Sequence, residues 1–106
     1  MDVTYRLFED SSYDHQSVVE VAKAIRPDDL ISVEGMIDWD AMQAKAGRIH
    51  RRWLASVEGR TVGSAVYGQS PWLDPDYWYV NTMVHPDHRG RGIGRGLFER
   101  VEASAA

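Results

Sequence analysis

Four of the nine glycines in this 106-residue chain fall at alternate positions in the run Val84-His85-Pro86-Asp87-His88-Arg89-Gly90-Arg91-Gly92-Ile93-Gly94-Arg95-Gly96. Glycine takes up positive φ without steric cost and weakens any helix or strand interior that holds it. Alternating glycines therefore mark a turn, and the flanking residues limit what that turn can join. Before it, Tyr77 to Val84 is dense in aromatic and β-branched residues and is closed by Pro86, the pattern of a strand. After it, Ile93, Leu97 and Val101 recur every four residues and define one face of a helix running to the C-terminus. The chain is thereby committed to a strand, a glycine-rich turn and a helix, in that order.

The same patterns organise the rest. Val3 to Phe8 places Val3, Tyr5 and Leu7 on one side and reads as a first strand. Asp10, Ser11 and Ser12 offer N-caps, and Val18, Val21, Ala22 and Ile25 share a helical face, so a helix is expected from Tyr13 to Ile25, stopped by Pro27. Asp38 can cap a second helix, Trp39 to Ala46, with Trp39, Met42 and Ala46 on one face and Gly47 at its end. Trp53 to Val57 and Thr61 to Tyr67 flank Glu58-Gly59-Arg60, which predicts a hairpin. Ser70 to Pro75 is a loop with two prolines leading into the strand at Tyr77. The order is β-α-α-β-β-β-α. The expected class is α+β, a mixed α/β sheet fold, and 106 residues allow one domain, 1–106, and not two.

Composition removes several functions. Twelve Lys and Arg against sixteen Asp and Glu give a net charge of −4, which repels a phosphate backbone, so no nucleic-acid partner is expected. The absence of Cys excludes a disulfide scaffold, a Cys-ligated zinc site and a thiol nucleophile. No basic start with an apolar run opens the chain and no stretch approaches the roughly 18 apolar residues of a membrane span, so a soluble, cytoplasmic protein without a membrane partner is expected. Ser11 and Ser12 with His15, or Ser64 with an Asp, lack the strand-turn-helix elbow of a serine nucleophile. His85 and His88 lack a third ligand, so no metal is assigned. Arg48, His50, Arg51 and Arg52 read as a solvated face near a strand start. Trp39, Trp53 and Trp78 read as core or hairpin-face residues, whereas Trp72, in its Pro-bounded loop, is a candidate wall of an acceptor or acyl pocket.

The glycine turn itself points to an anion. A helix start has free backbone N–H groups and a partial positive charge, and glycine lets an anion approach them. Arg89, Arg91 and Arg95 add three cations there, in a chain that is acidic overall. A P-loop would need Lys and Ser or Thr after its last glycine, but Gly94 is followed by Arg95-Gly96. A dinucleotide fingerprint would need Gly or Ala where Arg95 or Leu97 stands. Arg89-x-x-Gly92-x-Gly94, directly after a strand ending Val84-x-Pro86, resembles instead the acyl-CoA pyrophosphate loop of the GNAT N-acetyltransferases, and the order of elements matches that family too.

The resemblance implies that Arg89, Gly90, Arg91, Gly92, Ile93 and Gly94 hold the CoA pyrophosphate, mainly by backbone N–H groups. It implies that a bulge splays the preceding strand from its neighbour, leaving main-chain groups around Met83 and Val84 to pair with the pantetheine arm. The implied reaction moves an acetyl group from acetyl-CoA to an amine by direct attack, which needs a base, a polarised carbonyl and a proton for the leaving thiolate. Glu34, Asp76 and Asn81 are candidate bases by position alone. The family's domain continues past this helix with another strand, another helix and a hairpin, which carry the tyrosine that protonates the thiolate, and Tyr67, Tyr77 and Tyr79 do not match that place. The chain is accordingly expected to be an incomplete domain that lacks the C-terminal strands and helix, inactive in isolation. A catalytically silent module that binds CoA or a protein partner is the alternative. The strand Tyr77 to Val84 would then keep an open edge, through which the chain is expected to form homo-oligomers.

Overall fold

A computed structural model describes residues 2–9, 11–69 and 76–105, so Asp10 and the loop from Ser70 to Pro75, with Trp72, lie outside the described residues. The elements are β1 (Val3–Leu7), α1 (Ser12–Ile25), α2 (Val33–Lys45), β2 (His50–Val57), β3 (Arg60–Gln69), β4 (Trp78–Val84), a 3-10 turn (Pro86–His88) and α3 (Ile93–Ala105). The strands form one sheet in the order β1-β2-β3-β4 with every pair antiparallel. The fold is the expected α+β arrangement. No helix among the described residues is long and apolar enough to cross a membrane.

Local chemistry explains most boundaries. The Ser11 hydroxyl accepts from the Asp14 amide and starts α1. Glu58 and Gly59 have φ of 52° and 79°, the conformation of a two-residue hairpin loop whose twist matches its strands. Arg60, expected in the turn, therefore pairs with Val57 as the first residue of β3, and β2 reaches back to His50 rather than starting at Trp53.

The second helix differs from the expectation. It begins at Val33, where the Ser32 hydroxyl accepts from the Gly35 amide at 3.0 Å, so Asp38 lies inside the helix and caps nothing. Its inward face also differs, because Met42 and Ala46 are exposed and the fully buried residue is Gln43. The physical reason is the surface α2 meets.

That surface is one of two unlike faces of the sheet. Toward α3, Ala55, Val57, Val62, Ala65 and Tyr67 form the hydrophobic core with Ile93, Leu97 and Val101. Toward α1 and α2 the strands present polar groups. Arg6 of β1 donates to both oxygens of Asp14, at 2.9 and 2.6 Å. Arg52 of β2 donates to Asp40 of α2 at 3.0 and 3.4 Å, and its guanidinium lies 4.7 Å from the centre of the Phe8 ring. The same carboxylate faces Nε2 of the buried His15 at 3.0 Å. Of the basic run Arg48 to Arg52, Arg51 is exposed as expected of a solvated face, but Arg52 is not, since its side chain is only 8% exposed. Strand alternation turns His50 and Arg52 inward together.

The Arg6 guanidinium hydrogen-bonded to Asp14 holds that carboxyl below its ordinary range, against the opposing effect of burial. A carboxyl whose pKa falls on folding stabilises the native state above the unfolded pKa of about 3.9 and loses that contribution as pH falls through the lower, folded value. Asp14→Asn is expected to destabilise the chain by about 1–3 kcal/mol at neutral pH. Urea unfolding across the acid range should show wild type and variant converging as pH drops below about 3.9.

Candidate functional site

The C-terminal end of β4 leads directly into the glycine run. The His85 amide donates to the Val62 carbonyl at 2.7 Å, carrying the pairing one residue beyond the strand. The 3-10 turn is capped by His85, whose Nδ1 accepts from the Asp87 amide. Arg89 Nε donates to the Val84 carbonyl at 3.3 Å and ties the loop back to the strand end.

The four alternating glycines answer different demands. Gly90 and Gly92 have φ of 78° and 79°, and an added Cβ at either would meet nothing within 4 Å. They are needed for backbone conformation, and the space above them is open. A Cβ at Gly94 would make ordinary contact, 3.5 Å, with Val84 Cγ2. One at Gly96 would collide with the Tyr5 hydroxyl, so there glycine lets α3 lie close over β1. The Gly96 amide donates to the Gly92 carbonyl at 3.0 Å. The amides of Ile93, Gly94 and Arg95 precede that bond and have no helical acceptor, so they are presented at the positive end of α3.

A cleft of about 620 Å³ opens beside this loop. Asn81 to Val84 of β4 line it with Arg89 and Gly94, and its far wall comes from α1, the α1–α2 segment and the first turn of α2, including Ala22, Asp29 and Met36. Of the residues expected to bind an acyl donor, Met83, Val84, Arg89 and Gly94 are gathered there. Gly90, Arg91 and Gly92 are exposed on the loop outside the lining, and the side chain of Ile93 is buried in the core, leaving its amide to serve. An acyl-CoA fits what is present: bare amides for a diphosphate, flanking arginines, and a strand edge that runs along the cleft.

Pairing of β3 with β4 runs without interruption from Gly63↔Val84 to Gln69↔Trp78, so β4 is not splayed from β3, and the register shift among the described strands lies between β2 and β3 at Ala55/Ser56. The expected splay concerns the other edge of β4. That outer edge pairs with no strand among the described residues. Because the His85 amide faces the Val62 carbonyl, alternation turns the main-chain groups of Met83 toward β3 and those of Val84 to the outer edge, where the Val84 carbonyl accepts from Arg89 and its amide is left available.

Among the candidate bases, only Asn81 reaches the cleft. Glu34 is exposed in the first turn of α2 and Asp76 is exposed ahead of β4. The Ser11 hydroxyl is engaged as a helix cap and His15 Nδ1 faces the Ser11 carbonyl at 2.8 Å, so those residues form no nucleophilic pair. Burial pushes the Tyr79 phenol up, and its hydroxyl contacts Gln43 of α2 rather than the cleft. Sequence reasoning missed Arg52, Thr82 and the buried Ser64 as cleft residues, and Gly63 as a positioning one. A Cβ at Gly63 would stand 2.9 Å from the Met83 carbonyl and 3.1 Å from Leu97 Cδ1. Its signal was available, because glycine inside a strand marks a close approach.

Gly96→Ala is expected to cost about 1–3 kcal/mol by overpacking against Tyr5. Tyr5→Phe in the same chain should recover part of it, because the hydroxyl is the nearest atom. Thermal melts of the three variants check this.

Residues 8–106 match the model of the acetyltransferase (GNAT) family. Among solved structures, yncA from Salmonella typhimurium, determined with its cofactor acetyl-CoA, is 20% identical with a TM-score of 0.73, over 99% of this chain and 64% of its own. An N-acetyltransferase from Staphylococcus aureus Mu50 is 19% identical with a TM-score of 0.71, over 99% of this chain and 68% of its own. A GNAT family acetyltransferase from Brucella melitensis in complex with acetyl-CoA is 20% identical with a TM-score of 0.68, over 97% of this chain and 68% of its own. No curated protein sequence matches the chain significantly. The chain spans about two thirds of the length of these structures. With a family match over nearly all its residues and a loop folded at the head of α3, the chain belongs to the GNAT family of acetyltransferases.

Proposed function

We propose that this chain is the acetyl-CoA-binding part of an N-acetyltransferase that moves an acetyl group to an amine by direct attack. The observation that carries this reading is the placement of the Arg89-x-x-Gly92-x-Gly94 loop, with Gly90 and Gly92 at positive φ, at the mouth of the cleft built on β4. Acetyl-CoA, when bound, supplies an activated thioester carbonyl. The amides of Ile93, Gly94 and Arg95 hold the diphosphate, with Arg89 and Arg91 adding positive charge. The outer edge of β4 beside Met83, where the Val84 amide points away from β3, offers main-chain groups to the pantetheine arm, as an added strand would use them. A β4 amide at that edge polarises the thioester oxygen.

The cleft lacks a complete acid and base pair among the described residues. Asn81 cannot take up the amine proton, the carboxylate that lines the cleft is Asp29 on the wall across from β4, and no described tyrosine lines it to return a proton to the thiolate. This favours a second reading for the 106 residues taken alone: an incomplete domain, 1–106, that binds acetyl-CoA without turnover, while the full-length protein is the enzyme.

Calorimetry should show acetyl-CoA binding while pantetheine binds at least about tenfold more weakly, the worth of a charge-assisted diphosphate contact. Gly92→Glu, which places a carboxylate among the amides and a side chain at positive φ, should abolish the difference. Equal binding of pantetheine and acetyl-CoA would sink the proposal. Thiol release with a panel of amines then separates transfer from binding alone.

Trp78 and Val80 on β4 are each 49% exposed beside its open edge. The chain is proposed to self-associate there, one β4 pairing with another. Light scattering that finds a monodisperse monomer at high concentration would overturn this.

A further inference from the structure

A second cleft, of about 520 Å³, lies where the end of β1 meets the start of β2 beneath the C-terminal turn of α2. Leu7, Phe8 and Ala44 give it apolar walls, and Arg48, Arg51 and Arg52 bring three guanidinium groups to it. Its one acidic residue, Asp40, is already committed. One carboxylate oxygen takes Arg52 Nη1 and His15 Nε2, each at 3.0 Å, and the other takes Arg52 Nη2 at 3.4 Å. Asp40 therefore offsets Arg52 and leaves Arg48 and Arg51 without an ion-pair partner among the described residues.

Arg48 carries a further mark. Its Nε is buried and donates to no group among the described residues. A buried N–H left unmade is costly, and an acceptor supplied by a ligand removes that cost. His50, which also lines the cleft, is shifted toward its neutral form, first by burial and then by the nearby Arg52 charge, against the opposing Asp40 carboxylate. The chain as a whole is acidic, so this concentration of arginine is local.

We propose that this cleft is a second oxyanion site, taking a small molecule whose carboxylate or phosphate is bound by Arg48 and Arg51 and whose apolar body lies on Leu7, Phe8 and Ala44. It is separate from the loop at α3. Arg52 is the one residue that lines both clefts, so its Asp40 pair forms the wall between them.

The test is a titration of the isotope-labelled chain with phenyl phosphate, phenylacetate and the neutral benzyl alcohol, followed by NMR. Saturable shifts centred on residues 48–52 are expected from at least one of the two anions and not from the alcohol, and the responding anion identifies which oxyanion the site prefers. Arg48→Gln and Arg51→Gln should each weaken binding about tenfold, as loss of one charge-assisted hydrogen bond does. Arg51 is exposed, so its substitution leaves the fold intact and keeps the test valid if Arg48→Gln unfolds. Shifts centred on residues 90–95, equal binding of the alcohol, no response to either anion, or indifference to Arg51→Gln would each overturn the proposal.

Discussion

Ile93, Leu97 and Val101 enter the apolar face of the sheet beside Ala65 and Tyr67, and this contact places everything else at the candidate site. Each such side chain contributes about 1.5–3 kcal/mol by leaving water, more than the roughly 0.5–1 kcal/mol that a glycine in the first turn of α3 costs relative to alanine. The stripe can therefore carry a helix whose N-terminal turn holds two glycines. Gly63 lets the docking be close, since it puts the Met83 carbonyl and Leu97 on either side of a residue with no side chain. The end of β4 and the head of α3 are brought together by packing behind them, and the loop between them follows.

The opposite face works by other means. Asp40 joins α2 to β2 through Arg52 and meets His15 of α1 at the same oxygen, so one carboxylate relates three elements. Buried ion pairs contribute little net stability, because desolvation offsets most of the attraction, but removing one partner is costly. The network therefore sets where α2 sits more than how stable the chain is. It also accounts for the far wall of the larger cleft, since Met36 belongs to α2 and the α1–α2 segment with Asp29 hangs between helices that these pairs hold in place.

Elements whose buried faces are apolar were legible in position and facing, and those whose buried faces are polar in position only. Helix α3 was read from three residues at one period, and all three are buried. The hairpin was read from Glu58-Gly59-Arg60, and Glu58 and Gly59 take the positive φ such a loop requires while Arg60 already belongs to β3. Helix α2 was read from Trp39 onward, but its start and inward face were missed, because Asp40 and Gln43 point inward while Met42 points out, which inverts the usual periodicity. Arg52 escaped likewise, since a basic run carries no sign that one member meets a carboxylate 12 residues away along the chain. The loop Arg89 to Gly94 could be found because its chemistry is local, whereas Ser64 and Met36 join the cleft only through pairing and packing over long separations.

Net charge is a poor guide to what such a molecule binds. At physiological ionic strength the Debye length is about 8 Å, so a small anion at the head of α3 is governed by the amides and arginines within a few ångströms rather than by the sum over the chain. The acidic balance still matters for extended partners, because a polyanion must lie along many carboxylates to reach one basic pocket. Both clefts gather arginines, Arg52 and Arg89 in the larger and Arg48, Arg51 and Arg52 in the smaller, against a single carboxylate each, Asp29 and Asp40, so the local sign departs from that of the chain as a whole.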